Sequence, residues 1–362
     1  MTISLFDDSP QPELKPEPAP KKRAKSPAVM PARVSEEIQR LAHALPPALH
    51  LGTSSWTFPG WADLVWDQSY AEAQLSRDGL HAYSQHPLLR TVSLDRAFYR
   101  PMTAEQYAAL AAQVSDDFRF VVKVPSMISD AWIRRKESES AQAESEQAGQ
   151  GLQMNPHFLD AALFEQVCLQ PVLQGLGNKL GALVLQMSPL PPAMLSQTAT
   201  LKLFGQLAGV LSAQSAIKNV VNHAVIALEV RNPELILGSA RDDLITLLKD
   251  TGAAYCLGGH AKMPPLDEQL PILRKLWPGP LVCRWNLNNL HGRFGYQAAK
   301  DSYAPFNKLI DEDHETRATL ARVIAGTLQG GQRAIVTINN KAEGCAPLSV
   351  IKLAQAVAQK LA

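Results

Sequence analysis

Eight short apolar segments, each typical of a buried strand, alternate along this chain with segments of helical periodicity. Parallel strands must be joined by long crossover connections, usually helices, and the segments between these strands are long enough for that. Eight such strands allow a sheet to close on itself. The sequence therefore predicts an α/β fold of the TIM-type (β/α)8 barrel class. The predicted strands are Leu49–Ser54, Leu89–Asp95, Phe118–Val124, Ala182–Gln186, Val225–Glu229, Ala253–Cys256, Leu281–Trp285 and Ala334–Ile338.

Apolar residues at helical spacing predict the crossovers. The segment from His260 to Pro280 has leucines at this spacing too, but its five prolines predict a short or irregular element. The predicted helices lie near Ala71–Tyr83, Ala104–Val114, Pro156–Leu173, Leu201–Ser212, Arg241–Lys249, Thr316–Gln329 and Pro347–Leu361.

Most of the predicted strands end in, or are followed by, polar or charged residues, which a buried strand does not require. In a β/α barrel the carboxyl ends of the strands and the loops after them form the functional face. These side chains are therefore our candidate site. The candidate catalytic residues are Glu229, Asp95 and Lys123, and the candidate substrate-binding residues are Trp56, Tyr99, Arg231, Arg284, Asn286, Asn339 and Asn340.

Glu229 and Arg231 are separated by one residue, so both project to the same side if strand geometry continues. Pairing with Arg231 would keep Glu229 ionised and oriented. Glu229 could then act as a general base or bind a metal or hydroxyl, while Arg231 binds a carboxylate or phosphate. The alternative is a structural ion pair that joins two barrel loops.

Four candidates follow the first three strands. Trp56 could offer a flat surface to a ligand, or be a buried residue that caps the barrel. Asp95 could serve as acid, base or metal ligand, with Tyr99 binding a hydroxylated or anionic group; the alternative is an ordinary helix start. Lys123 could bind phosphate or act as a base, or be an amphipathic edge lysine.

The last two strands end in Arg284 and Asn286, and in Asn339 and Asn340. The loops after these strands often form a phosphate site in barrels of this type. Gly344 permits a tight turn in the final loop. We expect an anion-binding cup here, the alternative being ordinary strand-to-helix turn chemistry.

Composition describes an ordinary globular protein of 362 residues, 46% apolar and 19% charged, with a formal net charge of +1. This charge does not imply a broad polyanion-binding surface. The four cysteines form no C-x-x-C pair, and no apolar run is long enough to span a bilayer. We therefore predict a cytoplasmic protein without membrane association. The oligomeric state is not predicted.

No metal or cofactor motif is present. The sequence contains no H-E-x-x-H or H-x-x-E-H run, nucleophile elbow, P-loop or G-x-G-x-x-G, and among the histidines His260 alone lies near a predicted strand end. We predict no metal site and leave the cofactor open. Scattered carboxylates could still hold Mg²⁺ or Mn²⁺.

Three segments are predicted outside the regular alternation. Residues 1–33 are rich in proline and carry the basic cluster Lys21, Lys22, Arg23 and Lys25, so we expect a disordered tail that is either a solvated linker or a nucleic-acid contact. Residues 34–47 are predicted to contain an N-terminal helix. Residues 134–150 form a polar insertion, either a spacer or a lid.

Five further motifs follow one another in order along the chain: Gly52–Trp56, Phe98–Arg100, Phe120–Lys123, Glu229–Arg231, and Asn339–Asn340 with Gly344 and Ala346. Together they resemble the YecE-like family, the domain of unknown function number 72. The motifs cover nearly the whole chain after residue 48, and the resemblance implies a TIM-type barrel with no established reaction. Family members commonly carry Glu-x-Asn where this chain has Ser93–Asp95, and Arg-x-His-Gly where it has Arg284–Leu287.

Two function hypotheses follow. The first is an enzyme that acts on a small anionic or phosphorylated substrate, possibly containing a sugar, at the carboxyl-terminal face of the barrel. The second is a non-catalytic module that binds a nucleotide or nucleic acid in the same pocket. The sequence does not identify the reaction.

Overall fold

The computed structural model of the chain describes residues 27–134, 152–292 and 295–362. Its strands are β1 Leu49–Thr53, β2 Thr91–Leu94, β3 Arg119–Lys123, β4 Trp132–Arg134, β5 Leu152–Met154, β6 Leu180–Met187, β7 Val225–Val230, β8 Ala254–Gly259, β9 Leu281–Trp285 and β10 Ala334–Ile338. Eight of them are parallel and close into a barrel in the order β1-β10-β9-β8-β7-β6-β3-β2, while β4 and β5 form a small antiparallel sheet after β3. The prediction of a TIM-type (β/α)8 barrel is confirmed.

Helices connect the strands and cover the outside of the barrel. The helices are α1 Glu36–Ala44, α2 Glu72–Ser84, α3 Arg96–Tyr99, α4 Ala104–Ala111, α5 Ser126–Ser129, α6 Ala161–Phe164, α7 Gln170–Leu176, α8 Gln197–Leu211, α9 Gln214–Val220, α10 Pro233–Leu237, α11 Ala240–Thr251, α12 Leu266–Lys275, α13 Tyr296–Tyr303, α14 His314–Gln329 and α15 Ala346–Leu361.

Side chains that alternate along the strands divide between two cores. Strand residues facing outward pack against the helices in one large apolar cluster, to which α15 contributes Leu353 and Val357. Residues facing inward fill the lower barrel with small and branched side chains, among them Val121, Val184 and Cys256. This is the layered filling that keeps such a barrel closed to solvent.

The inward layer nearest the carboxyl ends is polar instead. Strand register places this layer two residues beyond the apolar one on β3, β6, β7 and β9. Its side chains are buried although they carry charges and hydrogen-bonding groups. The members are Ser93, Lys123, Gln186, Glu229, Arg284 and Thr337.

The segment from His260 to Pro280 is more regular than its prolines predict. Helix α12 occupies ten residues and contains Pro271. The apolar face of this helix stabilises it despite the proline, because Leu270 and Ile272 are buried against the barrel.

The amino-terminal segment departs from the expected boundary at residue 33. Residues 27–33 lie on the barrel: Val29 is buried, and the Met30 amide donates to the Tyr70 hydroxyl at 3.2 Å. Helix α1 then begins at Glu36, and the side chain of its N-cap residue, Ser35, accepts from the Ile38 amide. The rest of the predicted tail, residues 1–26, lies outside the described residues, as do residues 135–150 of the predicted insertion.

Candidate functional site

Arg284 extends across the interior of the barrel at the carboxyl-terminal ends of the strands and is almost fully buried. Its Nη1 donates to Oε2 of Glu229 at 2.6 Å and to Oε1 of Gln186 at 3.0 Å. Arg284 lies on β9, whereas Glu229 and Gln186 lie on β7 and β6, so these bonds tie three strands together. A charge-assisted bond of this length is among the stronger ones in proteins.

Arg231 closes the network from the loop after β7. Its Nε donates to Oε1 of Glu229 at 3.1 Å and its Nη2 donates to Oε1 of Gln186 at 2.8 Å. Both oxygens of Glu229 are therefore occupied by guanidinium groups. The predicted pairing of Glu229 with Arg231 is present, and Arg284 is a second partner that the local sequence did not indicate.

Asp95 forms the more open side of the network. Its carboxylate accepts two bonds from Arg284 Nη2, each 3.2 Å long, and one from the Ser93 hydroxyl at 2.6 Å. The Asp95 side chain is 33% exposed, whereas that of Glu229 is fully buried. A ligand approaching from solvent therefore meets Asp95 rather than Glu229.

The protonation of Glu229 is fixed by its two arginine partners. Burial alone would raise the pKa of Glu229, but Arg284 and Arg231 outweigh this effect and lower the pKa to about 2. Conversely, Glu229 and Asp95 raise the pKa of Arg284 although burial opposes it. Glu229 is thus a carboxylate at neutral pH, weakly basic and without a free lone pair directed at solvent.

Lys123 lies in the same layer at the end of β3 and is only 7% exposed. Its Nζ is 3.4 Å from the centre of the Phe98 ring and makes no hydrogen bond or ion pair with any residue that the structure describes. Burial and the nearby Arg284 lower the pKa of Lys123 to about 8, although Asp95 and Glu229 act in the other direction.

Asp130 is a further acidic group at this end of the barrel, in the loop after α5. Its Oδ1 accepts from the Ser188 hydroxyl at 2.6 Å. Burial raises the pKa of Asp130, while Ser188, Lys123 and Arg231 act to lower it. A carboxyl group of this kind exchanges protons closer to neutral pH than an exposed aspartate does.

Two tyrosines lie at the rim above these charges. Tyr99 is 81% exposed, and the side chain of Tyr296 is half-exposed. The pKa of Tyr99 is raised by partial desolvation at the barrel mouth and by the neighbouring Tyr296 and Asp95. The pKa of Tyr296 is raised by burial and by Asp95. Tyr99 is thus placed at the candidate site, and Tyr296 joins it from a distant part of the chain.

Lys341 is a second buried lysine at the rim, in the loop after β10. Its Nζ lies 4.0 Å from the Tyr296 ring centre and 5.7 Å from that of Phe306. Burial, together with Lys300, lowers the pKa of Lys341 to about 8. Carboxylates are not among the groups that shift it, which distinguishes Lys341 from Lys123.

The asparagines after β9 and β10 have different surroundings. Asn339 donates to the Ser54 hydroxyl at 2.8 Å and accepts from the Lys341 amide. Asn340 Oδ1 accepts from the Ala346 amide, at the first residue of α15, at 2.8 Å and from the Trp61 indole, while its Nδ2 has no acceptor among the described residues. Asn286 is buried, and its Nδ2 has no acceptor among the described residues.

Trp56 does not face the charged network. It is 3% exposed and its indole N–H donates to the Leu75 carbonyl of α2 at 3.0 Å. Arg96 lies over its ring at 5.2 Å. The structure therefore places Trp56 between the barrel and α2, where its flat face is not available to a ligand in the barrel mouth.

Other features of the molecule lie apart from the network. A cavity of about 750 Å³ lies near the amino-terminal ends of β7–β9 and is lined mostly by apolar side chains. Within the described ranges, no three His, Cys, Asp or Glu side chains converge as a metal ion would require. No helix in the same ranges has the length and apolarity of a membrane span.

Comparison with known families decides the classification. Residues 50–362 match the family described as "Protein of unknown function DUF72". The chain belongs to the DUF72 family. The resemblance to YecE-like proteins drawn from the five sequence motifs is therefore confirmed. No curated protein matches the chain.

Solved structures of DUF72 proteins share this fold. A DUF72 family protein from Enterococcus faecalis V583 is 18% identical, with a TM-score of 0.51 over 85% of this chain and 95% of that chain. A DUF72 family protein from Thermotoga maritima MSB8 is 15% identical, with a TM-score of 0.51 over 85% of this chain and 98% of that chain. At these identities the likeness concerns the fold alone.

Several members of the network were not among the sequence candidates. Gln186 ends a predicted strand, so the same rule that selected Glu229 could have selected it. Ser93 is the residue two before Asp95 on an inward-facing position, which strand alternation could have indicated. Asp130 and Tyr296 come from loop and helix positions, and no local pattern marks either of them.

Proposed function

We propose that this DUF72 protein is an enzyme that binds a small anionic ligand, phosphorylated or carboxylated, at the carboxyl-terminal end of its barrel. The observation that carries the proposal is Lys123: a nearly buried amine without a hydrogen-bond acceptor among the described residues. Burying an ammonium group is costly unless it is paired, and it carries three donors. An oxyanion of a ligand would supply the missing acceptor.

The surroundings of Lys123 support a ligand with both an anionic and a hydroxyl group. Arg231 adds a second cation, whose side chain is 14% exposed and whose charge acts on Lys123. Asp95 offers a partly exposed carboxylate that could accept a bond from a ligand hydroxyl. Anion recognition and hydroxyl recognition are thus available within one charged layer.

Proton transfer is assigned to Lys123 rather than to Glu229. A group with a pKa of about 8 is charged and neutral in comparable amounts near physiological pH, as a general acid or base requires. Glu229 has a pKa of about 2 and both its oxygens are occupied, so in this proposal it orients Arg284 and Arg231.

The test is ligand binding by the full-length protein and two matched variants. Inorganic phosphate, glycerol 3-phosphate and glucose 6-phosphate are titrated by calorimetry. Lys123→Met is expected to weaken binding of the best of these at least tenfold, because it removes the charge at nearly constant side-chain length. The control is Lys202→Met on the exposed face of α8. Equal affinity of the wild type and Lys123→Met contradicts the proposal, and so does the absence of binding to all three probes at millimolar concentration.

Nucleic-acid binding stays a prediction from the sequence. It depends on the basic cluster at Lys21–Lys25, which lies outside the described residues. None of the contacts described above favours it over a small ligand. An oligonucleotide included in the same titrations at low and high salt checks it, because phosphate contacts give a steep salt dependence.

A further inference from the structure

We propose that Lys123 is a nucleophile, and that it forms a Schiff base with the carbonyl carbon of a small anionic aldehyde, ketone or 2-oxo acid. The inference rests on the proposed function, since it assigns a substrate class and a covalent step to the same site. It concerns an activity that anion binding by itself does not require.

A Schiff-base lysine has to be desolvated, reachable and free of partners that occupy its lone pair. Lys123 is 7% exposed, it lies at the carboxyl end of β3 on the functional face, and among the described residues its Nζ contacts the face of Phe98 rather than an acceptor. The aromatic ring confines the amine without accepting a conventional hydrogen bond from it.

Fixed positive charges beside the amine favour its neutral, reactive form. Arg284 and Arg231 supply them, and both are held in place by Glu229 and Gln186 at distances of 2.6–3.1 Å. Their hydrogen bonds tie the guanidinium groups to the barrel strands, so these charges persist whatever the ligand does. The lowered pKa of Lys123, about 8, has the direction that this arrangement predicts.

Two carboxyl groups near Lys123, those of Asp95 and Asp130, are available for the accompanying proton transfers. Asp95 is partly exposed, and Asp130 is held by Ser188; both act electrostatically on Lys123. The Lys123 lone pair forms a bond to the carbonyl carbon, and the C=O π pair moves to oxygen, which takes a proton from Asp130. The nitrogen loses a proton to Asp95, giving a neutral carbinolamine. The hydroxyl group then takes this proton back from Asp95 and leaves as water, while the nitrogen lone pair forms the C=N bond of a protonated imine, and Asp130 is left ionised. One water is released for each imine, and no oxidant or reductant is needed.

Lys341 provides an internal comparison. It is buried, its pKa is lowered to about 8 as for Lys123, and aromatic rings surround its amine. The titratable group that acts on it is Lys300, so it lacks the neighbouring carboxyl groups that would carry protons. The proposal therefore assigns trapping of an anionic carbonyl compound to Lys123 and not to Lys341.

The first experiment needs no knowledge of the substrate. Full-length protein is treated with formaldehyde and cyanoborohydride, which convert a Schiff base into a methylated lysine, and each lysine is followed by peptide mass spectrometry. At pH 7 an amine of pKa about 8 has a neutral fraction roughly two orders of magnitude larger than an ordinary lysine of pKa about 10.4. Lys123 is expected to be methylated at least tenfold faster than the exposed Lys202, with a smaller difference at pH 10. Methylation of Lys123 at or below the rate of Lys202 at pH 7 overturns the proposal.

The second experiment tests the substrate class. Pyruvate and dihydroxyacetone phosphate are added separately, followed by borohydride. The expected product is a stable adduct on Lys123 that is lost in Lys123→Arg and reduced in Asp95→Asn, while Lys341→Arg leaves it unchanged. An adduct on Lys341 instead of Lys123, or none on Lys123 from either compound, overturns the inference. If phosphate binding still depends on Lys123 in that case, the proposed anion site stands and the covalent step alone is rejected.

Discussion

Nη1 of Arg284 lies 2.6 Å from Oε2 of Glu229, and the bond passes over β8, the strand between their own. At the level of Arg284, β8 carries Gly258, which is in register with it. A Cβ atom at Gly258 would clash with the Met263 sulfur, whereas it would lie 3.9 Å from Cγ of Glu229, an ordinary van der Waals distance. The glycine therefore makes room for Met263, and the ion pair spans β8 at the same level.

Removing the charge of Glu229 should lower the free energy of unfolding of the protein. Glu229→Gln leaves the buried Arg284 guanidinium without its closest counter-ion, and breaking a buried pair in this way costs about 3–5 kcal/mol. The free energy of unfolding in urea measures this. The exposed Glu268→Gln is the control and should change stability little. A loss below about 1 kcal/mol in Glu229→Gln would show that the pair is not a stabilising element.

Lys123→Met is expected to stabilise the folded protein at neutral pH while abolishing anion binding. The folded-state pKa of Lys123 is about 8, below the unfolded value of about 10.4, so between these values the unfolded chain binds the extra proton. The wild type should therefore gain about 2 kcal/mol between pH 7 and pH 10 relative to the variant. Urea unfolding at both pH values checks this, and parallel pH dependence in the two proteins would contradict it.

Acid should destabilise the protein through its buried histidines. Burial lowers the pKa of His86 to about 4, whereas an unfolded histidine has a pKa of about 6.5. Between these values the unfolded state binds the extra proton, so stability falls as pH falls, by about 1–2 kcal/mol from pH 7 to pH 5 for this residue. Burial lowers the pKa of His50 and His260 in the same direction.

His86→Asn isolates one share of this effect. Nδ1 of His86 accepts from the Leu88 amide at 3.3 Å, and the asparagine carbonyl can replace this acceptor without titrating. The variant should lose less stability than the wild type between pH 7 and pH 5 in urea unfolding. An unchanged pH dependence would mean that His86 titrates normally in the folded protein.

Residues 27–33 should contribute measurably to stability. Val29 and Ala32 are buried, and the backbone of this segment bonds to Val65 and Asp67 at 3.0 and 3.1 Å. A chain that begins at residue 34 should be less stable than one that begins at residue 27 by about 2–4 kcal/mol, mostly from the lost burial of Val29. Thermal and urea unfolding of these two chains, with the full-length protein as reference, measures the difference. Equal stability would show that the segment only rests on the barrel.

The sequence by itself determined the barrel and the face on which its charges lie. Strand and helix periodicities are local properties, and the carboxyl ends of parallel strands share one face, so Glu229, Arg284 and Lys123 could be assigned to one end before any coordinates. The same local pattern could not tell that Trp56 and Asn340 point into packed surroundings. Side-chain direction after a strand depends on the helices and loops that cover it.

Tertiary structure alone decided that Glu229 also pairs with Arg284. Glu229 and Arg284 are 55 residues apart, and their contact depends on barrel closure and strand register. The same packing leaves Lys123 against Phe98 without a partner among the described residues, although its sequence neighbourhood looks no different from that of any strand-end lysine. Burial, long-range pairing and the resulting pKa values depend on distances between segments remote in sequence, which residue patterns do not encode locally.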